Sequence, residues 1–386
     1  MIRSEKKRRR PVAVDLFCGV GGLGLGVEHA GFEVIAAFDT LAFNVDSHAA
    51  NFPNTNSVQV DLTTKSGDQL RELGTFKKTD VDLLVGGPPC QGFSIGGKRD
   101  LNDTRNLLVF DFARLIRQIQ PKYFVMENVQ GLVSTHSRPV LDSFVRRVKH
   151  AGYHVVEPIK VLNAADYGVP QRRKRVIVLG YRKELPAPQY PQETTPRLGQ
   201  GAQRRITVRD AIYDLPSIEE INELYSNDLF PGILPVPTGK YARMLRGLDQ
   251  SQMDLSPTRD LRSRITGFLR TNHAPHIINR FAATKPGAVE PVSRYIRLDW
   301  DSVSPTLRAG TGADHGRHTA PRPIHPQFPR CITTREAARL HSFPDWFVFH
   351  GTRWNDFRQI GNAVPPYLGR AIAREIYQCL SQSLTV

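Results

Sequence analysis

The sequence predicts an α/β protein: a mostly parallel, doubly wound sheet joined to a smaller, irregular, β-containing domain. Three observations carry that reading. Short apolar runs alternate with helix-patterned stretches over the first 180 residues, a glycine-rich turn links the first run to the first helix, and 17 of the 28 prolines crowd into residues 181–329.

The first candidate strand, VAVDLF (12–17), runs into the turn GVGGLG (19–24) and then a helix. Five more follow: EVIAAFD (33–39), SVQVD (57–61), VDLLV (81–85), YFVMEN (123–128) and VIVLG (176–180). The clearest helix is 105–119, where Leu108, Phe112, Leu115, Ile116 and Ile119 recur at helical spacing and Pro121 ends the run. Strands alternating with helices form parallel sheets covered on both faces. Ligands of such sheets gather at the carboxyl ends of the strands. The glycine turn, Asp39, Asp61, the loop holding Cys90, and Glu127 all fall at such ends. Beyond about residue 181 long periodic segments become few, which predicts short strands, turns and irregular loops. Helical pattern returns in TREAARLHSF from 334, and 364–382 reads as a closing helix; no internal repeat is present.

The 386 residues suffice for one large core plus a smaller domain, and 40% hydrophobic with 23% charged residues is ordinary globular usage. No apolar run approaches the roughly 20 residues that span a bilayer. The start, MIRSEKKRRRP, lacks the apolar stretch of a signal peptide, so the expected location is the cytoplasm. Cys18, Cys90, Cys331 and Cys379 form no CxxC pair and no zinc-spaced cluster, so the expectation is reduced thiols and no metal. Charge is 52 basic minus 37 acidic residues, or +15. The arm at 1–10 accounts for only +5, so the excess extends over the folded part. That balance suits a polyanion such as nucleic acid. The KKRRR run (6–10) fits a solvated arm with nonspecific phosphate contacts.

One loop is more specific. GGPPCQGFS (86–94) places Cys90 just beyond a strand, between prolines that fix φ and glycines that permit close approach. A buried structural thiol needs none of this; a nucleophile presented at a strand end does. GVGGLG alone fits a dinucleotide as well as S-adenosylmethionine, since Asp39 could hold the ribose of either and Asp61 an adenine amino group. Each aspartate equally fits a cap or turn residue.

Taken in order, the turn within 11–31, the Cys90 loop, YFVMENV (123–129), QRRKR (171–175) and QIGNAVPP (359–366) resemble the DNA (cytosine-5)-methyltransferase family of bacterial restriction–modification systems. The resemblance covers about 11–180 and 330–386; the region between matches only loosely. It implies an S-adenosylmethionine-dependent, Rossmann-like domain at 11–180 completed by about 330–386, a target-recognition domain at 181–329, and the basic arm at 1–10. It implies Cys90 as nucleophile, Glu127 as its partner at cytosine N3 and the exocyclic amine, Arg175 at O2 and Arg173 ordering the catalytic loop. The cofactor pocket is then lined by Phe17, Gly19, Gly21, Gly22, Leu23, Asp39, Asp61, Leu62, Pro89, Leu108, Asn362 and Ala363. At Asp39 the chain departs from the many relatives that carry Glu.

The chemistry explains these residue types. Cytosine C5 is a poor nucleophile, and thiolate addition to C6 makes it enamine-like. Nearby cations and loop amides promote the thiolate. A stacked base cannot offer C6, so it must be flipped out at a cost of a few kcal/mol. Gln91, Ser94, Lys98 and Arg99 are candidates for holding the opened strand. Residues 181–329, with 20 Lys/Arg against 15 Asp/Glu, are expected to read the sequence, with Arg308 in the turn-rich segment 304–318 reaching a DNA groove. No residue presents itself as the base that removes the C5 proton. The expected partners are double-stranded DNA, S-adenosylmethionine and, functionally, a cognate restriction endonuclease, for a prokaryotic protein acting as a monomer. A tRNA substrate is the competing reading, and the long 181–329 insert favours duplex DNA. A catalytically silent relative or an NAD oxidoreductase would leave Cys90, Glu127 and both arginines without purpose.

Overall fold

The protein is described from a computed structural model, covering residues 9–77, 79–89, 107–195, 204–249, 265–310 and 322–382. Its centre is a mixed sheet of β1 (Val12–Leu16), β2 (Glu33–Asp39), β3 (Asn56–Gln59), β4 (Leu83–Gly86), β5 (Tyr123–Val129), β6 (Tyr153–Val155), β7 (Lys160–Asn163) and β8 (Lys174–Arg182). The order is β3-β2-β1-β4-β5-β8-β6, with β7 also on β8. The first five strands run parallel. The β8 strand is antiparallel to β5, and β6 and β7 are antiparallel to β8. All six predicted strands are present. Those not predicted are β6, whose YHV is too short to show alternation, and β7, whose KVLN sets its two apolar residues side by side without alternation or a longer apolar run.

Alternation along each strand builds two cores. Ala13, Leu83, Val85, Tyr123, Val125, Ile177 and Leu179 belong to one cluster. Val14, Leu84, Phe124, Met126, Val176 and Val178, their immediate neighbours, belong to the other. Each fully buried side chain of this size contributes roughly 1.5–3 kcal/mol of transfer free energy. The run of consecutive apolar residues is therefore what a sheet covered on both faces requires.

Helices α1 (Gly22–His29), α2 (Ala42–Asn51), α3 (Gly67–Leu73), α4 (Leu107–Ile119) and α5 (Arg138–His150) connect the strands. Phe112, Leu115 and Ile116 of α4 and Leu141, Phe144 and Val148 of α5 fill the second core. The region that follows holds α6 (Val208–Ile212), α7 (Lys240–Leu245) and α8 (Pro275–Ala283). Between residues 204 and 332 its β structure, among the described residues, is limited to isolated bridges such as Val289 with Ile296. Buried charge fastens it: Arg339 donates to Asp345 Oδ1 at 2.5 Å, to Asp214 Oδ1 at 2.9 Å and to Ala211 O at 2.9 Å. Removing one partner would strand a buried charge at a cost of roughly 3–5 kcal/mol.

The chain closes with α9 (Thr334–Leu340), α10 (Arg353–Asn362) and α11 (Pro366–Gln382). Thr333 and Glu336 form a reciprocal capping box that starts α9. Helix α11 crosses α1 so closely that a Cβ on Gly26 would lie 2.5 Å from Pro366 O and 2.6 Å from Arg370 N. Glycine at 26 lets the two backbones meet. No helix among the described residues is long and apolar enough to cross a membrane.

Candidate active site

Parallel strands end at one edge, and the motifs after β1, β2, β4 and β5 meet there. The antiparallel β8 solves a different problem. Its register pairs Arg175 with Val129, so the start of β8 lies at the edge where β5 ends. This is why the arginine motif precedes its strand while the others follow theirs.

At that edge Arg175 Nε lies 2.7 Å from Glu127 Oε1, with the side chains only 13% and 10% exposed. The other carboxylate oxygen faces the turn after β4: a Cβ added at Gly87 would lie 3.0 Å from Glu127 Oε2. Asn128 completes the join by donating Nδ2–H to Pro88 O at 3.1 Å, while its Oδ1 accepts from Val129 N at 2.8 Å. The Gly87–Pro88 turn is thus fixed to the strand that carries Glu127. Pro89 is exposed. Cys90, Gln91, Ser94, Lys98 and Arg99 lie outside the described residues.

Beside this pair is a second cluster. Phe17 and Gly19 adopt positive φ of 57° and 55°, and a Cβ on Gly19 would meet nothing within 4 Å. The space above the turn is open. Asp39 anchors the turn: its Oδ2 accepts from Gly19 N at 2.9 Å, and its Oδ1 from Leu41 N and Asn44 Nδ2 at 2.9 and 3.1 Å. Asp61 Oδ1 accepts from Thr63 N and Oγ1 at 3.0 and 2.8 Å. Both aspartates therefore hold local turns, the bland role the sequence left open, while Asp39 stays half-buried and Asp61 exposed. Leu108 and Ala363 are half-buried and Asn362 is exposed, whereas Leu62 and Leu23 are buried. Gly22 packs on the last motif, where its Cβ would lie 2.4 Å from Val364 O and 2.9 Å from the Ala363 Cβ. Gly21 is hemmed in by Phe52 and His48. Of these three glycines, Gly19 is the one that faces space.

The chain matches the C-5 cytosine-specific DNA methylase family over residues 12–378. It belongs to that family. Among its relatives, Type II methyltransferase M.XorII of Xanthomonas oryzae pv. oryzae is 46% identical over 372 residues, 96% of this chain and 85% of the relative. Type II methyltransferase M.DdeI of Desulfomicrobium norvegicum is 34% identical, covering 94% of this chain and 88% of the relative. A crystal structure of an E. coli protein described as a prophage-encoded DNA modification methyltransferase superposes with a TM-score of 0.78 at 32% identity, covering 96% of this chain and 99% of that one. The fold is accordingly that of the DNA methyltransferases, and the activity is DNA cytosine-5 methylation.

For a C-5 cytosine methylase, the thiols are informative. Cys18, Cys331 and Cys379 are buried. Burial raises the Cys18 pKa well above the ordinary range, with Asp39 and Asp15 adding to it. Burial pushes Cys331 up to about 12 and also raises Cys379. None of these three is set up to be a thiolate.

Arg173, fully buried, stands immediately before β8. Its described bonds go to Leu307 O at 3.1 Å, Gly361 O at 2.8 Å and Ala363 O at 2.9 Å. Burial pulls its pKa well below the guanidinium range, helped by the Arg175 charge and opposed by Glu127. Among the described residues it organises the segments at 307 and 361–363; the catalytic loop it was expected to order lies outside them. Arg308, next to Leu307, is exposed. Sequence reasoning assigned no role to Asn128, Gln171 or His341. Asn128 and Gln171 lie inside the motifs that carried the resemblance, but their partners at Pro88 and Leu307 are distant in sequence.

Proposed function

We propose that this enzyme transfers the methyl group of S-adenosylmethionine to C5 of a cytosine flipped out of a specific duplex sequence, with Cys90 adding to C6. The single observation that carries the reading is the Glu127–Arg175 pair beside the Gly87–Pro88 turn, three residues ahead of Cys90 in the case of Gly87. S-adenosylmethionine supplies an electrophilic methyl group on sulfonium sulfur. Phe17, Gly19, Asp39, Asp61, Leu108 and Asn362 fit such a group: open space above Gly19, carboxylates for hydroxyl and amino hydrogens, and apolar Phe17 and Leu108 for an adenine face.

The residues of the chain divide the chemistry. The Cys90 thiolate attacks C6, and electron density moves toward N3 and C5. Glu127 meets N3 and the exocyclic amine, and a proton on its carboxyl neutralises the charge growing at N3. Arg175 meets O2 while its Nε keeps Glu127 aimed. Once the methyl group is on C5, leaving S-adenosylhomocysteine, water takes the C5 proton and the freed electron pair expels Cys90 from C6, restoring aromaticity and the thiolate. Gln91, Ser94, Lys98 and Arg99 hold the opened strand. Residues 181–329 read the sequence, Arg308 among them, while 11–180 and 330–386 form the catalytic domain. Relatives named Type II methyltransferases support a role as the protective half of a restriction–modification system.

Duplex DNA containing 5-fluorocytosine cannot release its C5 substituent as a proton, so it should become trapped on Cys90. Mass spectrometry of the adduct tests this directly. An active preparation that forms no adduct, or one on another side chain, overturns the covalent route. Methyl label entering tRNA alone overturns the substrate. Bisulfite sequencing of DNA from expressing cells would give the recognised site.

A further inference from the structure

Gln171 is fully buried two residues ahead of Arg173. Its Oε1 accepts from Leu307 N at 3.1 Å, and its Nε2 donates to Leu340 O at 3.2 Å. Those partners fix the amide, because a peptide N–H only donates and a carbonyl only accepts. Nε2 also lies 2.9 Å from His341 Nδ1, which must therefore accept. The ring proton then sits on Nε2, 3.0 Å from Ala363 O, and is donated there. Burial draws the His341 pKa well below the ordinary range, with Arg173 adding to the effect, so the ring stays neutral. A proton on Nδ1 would point at the amide N–H.

The ends of this chain of bonds lie in two different places. Leu307 adjoins exposed Arg308, in the segment read as facing DNA; Ala363 adjoins Asn362, beside the glycine turn. Arg173 grips the same two segments through Leu307 O, Gly361 O and Ala363 O. They also touch directly, since a Cβ on Gly361 would lie 2.3 Å from Ala309 N. A movement at 307–309 has no slack in which to be absorbed.

We propose that Gln171 and His341 are positioning residues that couple DNA engagement at 307–309 to the grip on cofactor at 361–363. The inference rests on the cofactor and DNA assignments made above. Coupling of this kind is reciprocal between the two ligands. Neither residue touches the reacting atoms.

The test is calorimetric titration of the full chain with S-adenosylhomocysteine, without and with a duplex oligonucleotide carrying the site found by bisulfite sequencing. Wild-type affinity should change about tenfold with DNA. In His341→Leu that factor should fall to near one. His341→Gln presents an acceptor and a donor in the same order and should restore it, which a purely structural role would not require at matched melting temperature. Gln171→Glu cannot donate to His341, so its coupling should reappear only as pH falls and the ring gains a proton. Wild-type coupling in His341→Leu overturns the proposal, as does a His341→Gln variant that folds normally but remains uncoupled. Should His341→Leu fail to fold, His341→Gln and Gln171→Glu decide the matter. A wild-type protein that binds both ligands without coupling also overturns it, leaving the functional reading intact. One that binds neither sinks the functional reading itself.

Discussion

Arg175 and Glu127 meet at 2.7 Å although neither is the other's partner in the sheet: Glu127 pairs with Ile177 and Arg175 with Val129. They are diagonal neighbours on one face of an antiparallel pair, a separation that long side chains bridge. The diagonal ties up one carboxylate oxygen of Glu127 and leaves the other toward Gly87. A direct pairing could satisfy both oxygens and leave nothing for a substrate.

Glu127→Gln keeps the size and a hydrogen-bond acceptor for Arg175 but removes the acid. The kcat for methyl transfer should fall by about 10²–10⁴-fold. S-adenosylhomocysteine affinity should stay unchanged. Single-turnover kinetics with tritiated cofactor measures the first, calorimetry the second.

Asn128→Ala strands the Pro88 carbonyl, which accepts from Asn128 in a buried setting. The expected loss of stability is about 1–3 kcal/mol. Because the same turn leads to Cys90, trapping by 5-fluorocytosine DNA should slow by more than the folded fraction explains. Denaturant melts and trapping rates on one preparation check both.

Gly19→Ala and Gly26→Ala should separate the two uses of the glycine-rich motif. At Gly19 a methyl meets no atom within 4 Å, so the cost is the left-handed φ of +55°, roughly 1–2 kcal/mol. Cofactor binding should be lost there. At Gly26 the methyl strikes the α11 backbone at Pro366 and Arg370. Stability should fall by about 1–3 kcal/mol or more, while the folded fraction keeps its cofactor affinity.

Asp356 gives a pH signature. It is 1% exposed, and burial, with the Asp228 charge adding to it, raises its pKa to about 7. A carboxyl with a raised folded pKa is bound to its proton more tightly in the native state than in the unfolded one. Its contribution is therefore intact below the unfolded value, near 4, and lost as pH rises toward 7. Each unit of the difference is worth about 1.4 kcal/mol. Asp356→Asn, whose side chain can still accept from Gly351 N and meet the Thr334 hydroxyl, should lose less stability than wild type between pH 5 and 8. Urea melts at both pH values give the comparison; equal slopes would remove Asp356 as the cause.

Much of the architecture was legible because it rests on local pattern. The six predicted strands announce themselves as apolar runs or as polar–apolar alternation, and α4 by its 3.6-residue period ending at Pro121. Strand β6 carries too few residues for a period, and the KVLN of β7 neither alternates nor forms a longer apolar run. Helix α10 starts with RWND, whose polar residues hide that Asp356, Phe357, Gln359 and Ile360 are buried. The antiparallel direction of β8 is equally invisible, since VIVLG reads the same either way. For the site, the residue types and order of the motifs nominated Glu127, Arg175 and the glycine turn.

What the sequence determined by itself was class and family: an α/β chain whose motifs run in the order of the C-5 cytosine methylases. Nucleophile, acid and cation types are properties of single residues, and strand patterns are properties of short windows. The tertiary structure alone decided who touches whom. It turned β8 so that Arg175 reached Glu127, closed α11 onto α1 through Gly26, and buried Arg173 against carbonyls from 307 to 363. Those contacts join residues as far apart as Gly26 and Arg370, and they depend on strand direction and close packing, neither of which is encoded within any one window of the chain.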